Sequence, residues 1–143
     1  MTSKPKDLGY SGYITSRLVA GNRTPQHVQN LVIRDYARRQ GLTFRLSATE
    51  FAIDNCYLAL GGLLDTLDAI DGIILFSLFM LPPQTRRRQQ IFKTIIKAGK
   101  TIHAATEEFQ ILTFNDIERA EDIRKINHAM AAHPTDVNLL RHP

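Results

Sequence analysis

The stretch Ile73-Ile74-Leu75-Phe76 decides the fold, because its four consecutive apolar residues indicate a strand that is buried on both faces. Such strands are typical of the interior of a parallel sheet. Asp71-Gly72 before the stretch is a turn signal, and Pro82-Pro83 ends the segment that follows it. The sequence therefore predicts a parallel sheet with this strand near its centre.

Strands and helices alternate along the rest of the chain. The other strands are predicted at Tyr10–Thr15, Thr43–Ser47 and Thr101–Ala105, with a shorter one within Phe109–Phe114. Helices are predicted from Thr24-Pro25 to Gly41, over Tyr57–Ile70, over Gln84–Ala98 and from Asn115 to Ala132. This alternation predicts a doubly wound α/β domain with a mostly parallel sheet of four or five strands, in the order 2-1-3-4 with any fifth strand last. The domain is predicted over 10–132, with an N-terminal arm at 1–9 and a C-terminal tail at 133–143.

The composition fits one cytoplasmic globular domain. The chain has 143 residues, of which 43% are hydrophobic and 22% charged. No apolar run is long enough to span a bilayer, the first seven residues lack the core of a signal peptide, and Cys56 is the single cysteine. The net charge of +4 allows an anionic ligand, but it falls short of a dense basic stripe, so a nucleic-acid partner is not expected and DNA binding is only a third, weaker alternative.

Polar residues follow three of the predicted strands. The carboxyl ends of parallel strands form a ligand crevice where the strand order reverses, here between the first and third strands. Ser16-Arg17 and the segment 77–81 are therefore expected to face each other across it. The polar residues at the strand ends are Ser16, Arg17, Ser47, Thr49, Glu50 and Ser77. Together they predict a cleft for a small polar or anionic molecule.

Each of these residues has a predicted role. Arg17 and Arg23 flank a loop before a helix N-terminus, which favours binding of an anion. Glu50 either moves a proton, with a pKa raised by burial, or forms a salt bridge with Arg17 or Arg45. The sequence also offers Ser16 and Tyr13 as catalytic residues. It offers the side chains of Ser47, Thr49, Ser77 and His27 as ligand-binding groups.

Other chemically active residues favour structural roles. Cys56 is expected to pack rather than to act as a nucleophile, and Arg86-Arg87-Arg88 is expected to be a solvated charged face, with an anion site as the alternative. His27, His103 and His128 are too scattered for a metal site. The sequence contains no redox-cofactor fingerprint and no P-loop, so we predict neither a metal nor a cofactor.

Tyr13-Ile14-Thr15-Ser16-Arg17, the stretch 26–41 and the stretch 73–104 resemble the catalytic domain of serine recombinases. The resemblance implies a resolvase-like fold. The sequence departs from the family at two places, however. Phe79-Met80-Leu81-Pro82-Pro83 stands where those enzymes carry a phosphate-binding arginine motif, and Arg17 stands where they carry the nucleophilic serine. These departures argue against strand exchange.

The chain also resembles the sporadic carbohydrate cluster proteins over residues 9–126. The stretches that carry the likeness are 12–17, 28–36, 46–50 and 77–82. It implies a small enzyme of surface-polysaccharide synthesis that acts on a sugar or nucleotide sugar by isomerisation or proton transfer. The alternative is a non-catalytic module that binds a sugar phosphate or a partner protein. Whether the chain is an enzyme at all stays open at this point. Separately, the apolar face of the last helix and the broad third helix favour a homodimer.

Overall fold

The computed structural model describes residues 7–131, in which strands and helices alternate. The strands are β1 (Tyr10–Thr15), β2 (Phe44–Glu50), β3 (Gly72–Leu75), β4 (Thr101–Ala104) and β5 (Phe109–Ile111). The helices are α1 (Gln26–Gln40), α2 (Leu58–Asp65), α3 (Thr85–Lys97) and α4 (Phe114–Ala131). Short 3-10 turns lie at Leu67–Ala69 and Leu78–Met80.

The five strands form one sheet in the order β2-β1-β3-β4-β5. The pairs β1–β2, β1–β3 and β3–β4 are parallel, and β5 runs antiparallel to β4. The predicted α/β class and strand order are confirmed. Because β2 and β3 lie on opposite sides of β1, the chain reverses its direction of winding after β2, and the carboxyl ends of β1 and β3 border the resulting crevice.

The core is built around β3, as its sequence predicts. Ile73, Ile74 and Leu75 are completely buried. Gly72 at the start of the strand lies so close to β4 that a Cβ atom there would overlap the carbonyl oxygen of Thr101. A glycine is therefore needed for β3 and β4 to pair at this register.

Several predicted boundaries differ from the observed ones. β2 continues to Glu50, because residues 47–50 pair with Gly12–Thr15 of β1. Helix α1 begins at Gln26 with Pro25 as its N-cap residue, and no side chain caps it. Helix α2 ends at Asp65, where a 3-10 turn replaces the rest of the predicted helix.

The predicted terminal segments lie largely outside the described residues, which exclude 1–6 and 132–143. Near the described start, the Gly9 amide donates to the Asp71 carboxylate over 2.9 Å, which joins this part of the chain to the turn before β3. Within residues 7–131, no helix has the length and apolar character needed to span a membrane.

Candidate functional site

A crevice of about 610 Å³ opens at the carboxyl ends of β1 and β3. Ser16 and Arg17, which follow β1, line one side of it. Phe79 and Met80, in the segment after β3, line the opposite side. The structure therefore brings together the two loops that the sequence predicts to face each other.

The end of β1 is fixed by Gln29, a completely buried residue of α1. Its side-chain carbonyl accepts the Thr15 amide over 3.0 Å, and its side-chain NH₂ donates to the carbonyl oxygens of Thr15 and Thr24. The Thr15 hydroxyl in turn accepts the Arg17 amide over 3.1 Å. The backbone that carries Arg17 is thus held on both sides by hydrogen bonds.

Arg17 is oriented by neutral groups. Its Nη1 donates to the carbonyl oxygens of Cys56, at 2.9 Å, and Ile53, at 3.4 Å. Its guanidinium group also lies over the ring of Tyr57, 4.6 Å from the ring centroid. No carboxylate among residues 7–131 forms an ion pair with Arg17. The cation is therefore positioned without being neutralised, as an anion-binding arginine requires.

A second arginine contacts the same tyrosine. The guanidinium group of Arg87, in the first turn of α3, lies 4.8 Å from the Tyr57 centroid. Sequence reasoning missed Tyr57 as a site residue, because its spacing indicated the core, although it is only partly buried and lines the crevice. An aromatic ring attracts cations to its face, so Tyr57 links the two arginines at this end of the sheet.

Arg23, Asp54 and Asn55 complete the polar part of the lining. Arg23 follows a tight turn in which Val19 and Asn22 exchange backbone hydrogen bonds of 2.7 and 3.0 Å. Arg23 is exposed and forms no ion pair within the described part of the chain. Asp54 is the one acidic residue of the lining, so the crevice contains two arginines and one carboxylate.

Glu50 lies beneath this surface and is 1% exposed. Its carboxylate accepts the Tyr13 hydroxyl at 2.7 Å and the amides of Phe51, Ala59 and Leu60 at 3.0 to 3.2 Å. Glu50 thus joins the end of β2 to the first turn of α2. It holds both ends of the segment 51–57, whose Ile53 and Cys56 carbonyls orient Arg17.

The expected rise in the pKa of Glu50 is wrong. Burial raises this pKa, but the hydrogen bonds from Tyr13 and from the three amides together outweigh burial and hold it below its ordinary value. The alternative salt bridge to Arg17 or Arg45 does not form either. Burial, followed by the hydrogen bond to Glu50, raises the pKa of the Tyr13 hydroxyl. Tyr13 is completely buried, so the structure does not bring it to the crevice surface.

The Ser77 hydroxyl is also hydrogen-bonded within the protein. Its hydroxyl donates to Glu107 over 2.9 Å and accepts the Phe79 amide. The Glu107 carboxylate also accepts the Leu78 amide at 2.7 Å and the Thr106 hydroxyl at 2.6 Å. Glu107, which the sequence analysis did not single out, therefore anchors the segment after β3 much as Glu50 anchors the segment after β2.

The remaining predicted ligand-binding residues do not line the crevice. The Ser47 hydroxyl donates to Asn30 over 2.6 Å. Gly12 lies against this hydroxyl, where a Cβ atom would collide with it. Thr49 and His27 are exposed elsewhere. Of the nine predicted site residues, the structure brings Ser16, Arg17 and Arg23 together; their functional roles stay predictions.

The arginine run at 86–88 is not a uniformly solvated face. Arg88 is 4% exposed and forms two hydrogen bonds with Glu121, of 2.5 and 3.0 Å, while its Nη1 donates to the carbonyl oxygens of Pro82 and Pro83. Arg88 therefore supports the segment after β3. Cys56 is a free, partly buried cysteine. Within residues 7–131, no group of three or more His, Cys, Asp or Glu side chains could hold a metal ion.

The fold is similar to that of two solved structures, a catalytic domain of an integrase and a site-specific recombinase. The N-terminal catalytic domain of TP901-1 integrase superimposes with a TM-score of 0.57 at 14% identity, over 84% of this chain and 98% of that one. A resolvase family site-specific recombinase from Streptococcus pneumoniae gives a TM-score of 0.58 at 8% identity, over 92% of this chain and 97% of that one. No protein family model and no curated protein matches the sequence.

These comparisons establish a resolvase-like fold and correct the functional expectations. The two solved structures with this fold are a site-specific recombinase and the catalytic domain of an integrase, and neither is a protein of sugar biosynthesis. The predicted role in surface-polysaccharide synthesis, the predicted isomerase chemistry and the sugar partner are therefore wrong, as is the expectation that nucleic acid is not a partner. The resemblance to sporadic carbohydrate cluster proteins is not confirmed.

Proposed function

We propose that this chain binds DNA, and that backbone phosphates of the DNA bind in the crevice to Arg17 and Arg23. The main support is the state of Arg17. It is held by two carbonyl oxygens and an aromatic ring, and no carboxylate within residues 7–131 pairs with it. A fixed guanidinium group without a counter-ion favours binding of a phosphate.

Other arginines of the chain provide a contrast. Arg38 and Arg39 are paired with Asp35, and Arg88 is paired with Glu121. These pairs neutralise charge away from the crevice, whereas Arg17 and Arg23 stay available within it. Arg87 on Tyr57 adds a further cation beside Arg17. Phosphate contacts dominate the affinity of proteins for DNA, so a small group of unneutralised arginines suits such a partner.

The fold supports the same partner. Both solved structures reported above are site-specific recombinases or parts of them, and this chain covers nearly their whole length. The crevice of this chain differs from the recombinase pattern, because apolar Phe79 and Met80 occupy the position of the arginine motif. In our proposal, the cations come instead from the segment after β1 and from the start of α3.

Binding of a fluorescent 30-base-pair duplex by wild-type protein and by Arg17→Ala tests the proposal. Loss of one charge-assisted contact is expected to weaken binding about tenfold. Arg45→Ala is the matched control, because Arg45 is an exposed arginine near the start of β2, at the opposite end of the sheet. Its affinity should stay within about twofold of wild type. Equal losses in the two variants, or no binding of either the duplex or its single strands by wild type, would refute the proposal.

A second candidate function is cleavage of the DNA backbone by Ser16, which is favoured by the position of its hydroxyl-bearing side chain in the crevice beside Arg17. In such a step the Ser16 oxygen forms a bond to phosphorus, a phosphorus–oxygen bond of the DNA breaks, and the serine proton leaves with the departing strand or solvent. A covalent protein–DNA adduct from nicked plasmid, absent in Ser16→Ala, would support cleavage. DNA binding without a covalent adduct would support DNA binding as the function and would contradict cleavage by Ser16.

A further inference from the structure

The crevice is larger and more apolar than phosphate binding requires. Its volume is about 610 Å³, within the range of pockets that hold a whole small molecule. Leu18, Phe79 and Pro83 contribute accessible apolar surface to the lining, beside the two arginines. A site for phosphate alone would need only the arginines and neighbouring hydrogen-bond donors.

Double-stranded DNA does not present a surface that matches this apolar wall. Its phosphates and sugars lie outside, and the faces of its bases are stacked on one another. The base faces become available when a strand is single, or when a nucleotide is turned out of the helix. An apolar wall next to phosphate-binding arginines therefore fits an unpaired nucleotide better than the backbone of an intact duplex.

The polar residues of the crevice fit the same ligand. Asp54 and Asn55 supply acceptors, and Asn55 also supplies donors, suitable for a base edge or a sugar hydroxyl. A carboxylate such as Asp54 would repel a second phosphate, but it accepts the amino and imino groups of bases. The guanidinium group of Arg17 is held over the Tyr57 ring, 4.6 Å from its centroid, and a guanidinium plane is itself a surface on which bases can stack.

We propose that the crevice binds one unpaired nucleotide of a DNA strand, with its phosphate at Arg17 and Arg23 and its base against Leu18, Phe79 and Pro83. This inference rests on the proposed DNA binding and deepens it, because it names single-stranded or locally opened DNA as the ligand of the site. It also gives the apolar segment after β3 a function in place of the missing arginine motif.

Three fluorescent ligands and one competitor test the inference with wild-type protein. The ligands are a single-stranded 20-mer, the same sequence as a duplex, and the same strand with abasic sites throughout; the competitor is the free deoxynucleotide. Stacking of one base is expected to favour the single strand over the duplex and the abasic strand about tenfold or more. The free deoxynucleotide should compete only weakly. Competition as strong as that of the 20-mer would contradict a DNA strand as the ligand.

Two surface leucines provide a matched pair of variants. Leu18, in the lining, is 58% exposed, and Leu31, on α1 outside it, is 60% exposed. Leu18→Ser should weaken binding of the single strand but not of the abasic strand, and Leu31→Ser should change neither. Equal binding of single-stranded, duplex and abasic DNA would overturn this inference alone. Absence of binding to every DNA would overturn the proposed function as well.

Discussion

The two sides of the crevice are built by different means. The segment after β2, residues 51–57, is mostly exposed, and it presents backbone carbonyl oxygens to Arg17. The segment after β3, residues 76–83, is mostly buried and presents apolar side chains. Each is anchored by one carboxylate, that of Glu50 or Glu107, which accepts backbone amides. The comparison shows that carboxylates bound to backbone amides position this site, while arginines that form no ion pair within residues 7–131 are left to contact a ligand.

The two anchors differ in burial and in the number of groups that they satisfy. Glu50 is almost inaccessible to solvent and accepts four hydrogen bonds, three of them from backbone amides. Glu107 is only partly buried and accepts hydrogen bonds from one amide and two hydroxyl groups. An unsatisfied group costs more free energy the more deeply it is buried. Loss of Glu50 should therefore damage the protein more than loss of Glu107.

The largest effect is expected for Glu50→Ala. Removing the carboxylate leaves the buried Tyr13 hydroxyl and three amides without their acceptor, which should lower the free energy of unfolding by about 3–5 kcal/mol. Urea unfolding at pH 7 measures this. Because the folded-state pKa of Glu50 lies below its usual value of 4.5, the carboxylate stabilises the fold above that pH. The difference between wild type and variant should shrink as the pH falls below about 4.5. If Glu50→Ala loses no more unfolding free energy than Glu107→Ala, the conclusion that Glu50 matters more to the fold than Glu107 is wrong.

A buried histidine away from both segments allows a further test, because it titrates in a different pH range. His103 on β4 is 4% exposed, its Nδ1 lies 2.7 Å from the Tyr36 hydroxyl, and its Nε2 has no hydrogen-bond partner within the described structure. Burial lowers its pKa from 6.5 to about 4. The unfolded chain therefore binds the proton first as the pH falls, and wild type should lose roughly 2–3 kcal/mol between pH 6.5 and 4.

His103→Gln separates this histidine effect from the carboxylate effect. Its free energy of unfolding should be nearly constant between pH 6.5 and 4.5, whereas that of wild type should fall. Urea unfolding at closely spaced pH values gives both curves. A wild-type curve that is flat above pH 4.5 would show that His103 does not resist protonation.

A smaller effect is expected for Glu107→Ala. This change leaves the Leu78 amide and two hydroxyl groups without their acceptor, but the site is partly open to solvent, which replaces some of the lost hydrogen bonds. The free energy of unfolding should fall by about 1–2 kcal/mol. Glu108→Ala is a neighbouring control, since Glu108 is exposed and pairs with Arg39 at the surface, and its loss should cost less than about 1 kcal/mol. A larger loss of unfolding free energy for Glu108→Ala than for Glu107→Ala would show that Glu107 does not anchor the segment after β3.

The sequence could predict the sheet but not all the helix faces. Consecutive apolar residues at 73–76 identify the central strand directly, because burial on both faces leaves no polar position. In α1 the apolar spacing predicts a face of Val28, Val32 and Tyr36 with Leu31 beside it, yet Leu31 is exposed and the polar Gln29 is buried. Gln29 lies inside because its amide satisfies the backbone at the end of β1. Hydrophobic spacing carries no signal for such a role.

Helix α4 also shows that apolar spacing alone does not determine which residues are buried. Its apolar residues recur at helical spacing, yet Ile126 and Met130 are each 62% exposed. The first part of the pattern packs on the core, with Ile117 and Ala120 buried in it and Ile123 partly buried against it. Apolar spacing predicts that a helix has an apolar face, but not how far along the helix the rest of the domain reaches to cover it.

The position of the site could be predicted from the sequence, but the roles of its individual residues could not. Strand order alone placed Ser16-Arg17 opposite residues 77–81, and these segments do border one crevice. The partners of Glu50 are residues 13, 51, 59 and 60, which meet only when β1, β2 and α2 pack together. A strand-end carboxylate that acts as a proton carrier and one that caps a helix look the same in the sequence. Tertiary hydrogen bonds distinguish them.

The most direct test of the account is the salt dependence of DNA binding by wild-type protein and by Arg17→Ala. If Arg17 neutralises a backbone phosphate, the variant should bind more weakly, and the slope of log affinity against log salt concentration should decrease in magnitude by about one. An unchanged slope with unchanged affinity would show that Arg17 contacts no phosphate, and the proposed DNA site in this crevice would have to be abandoned.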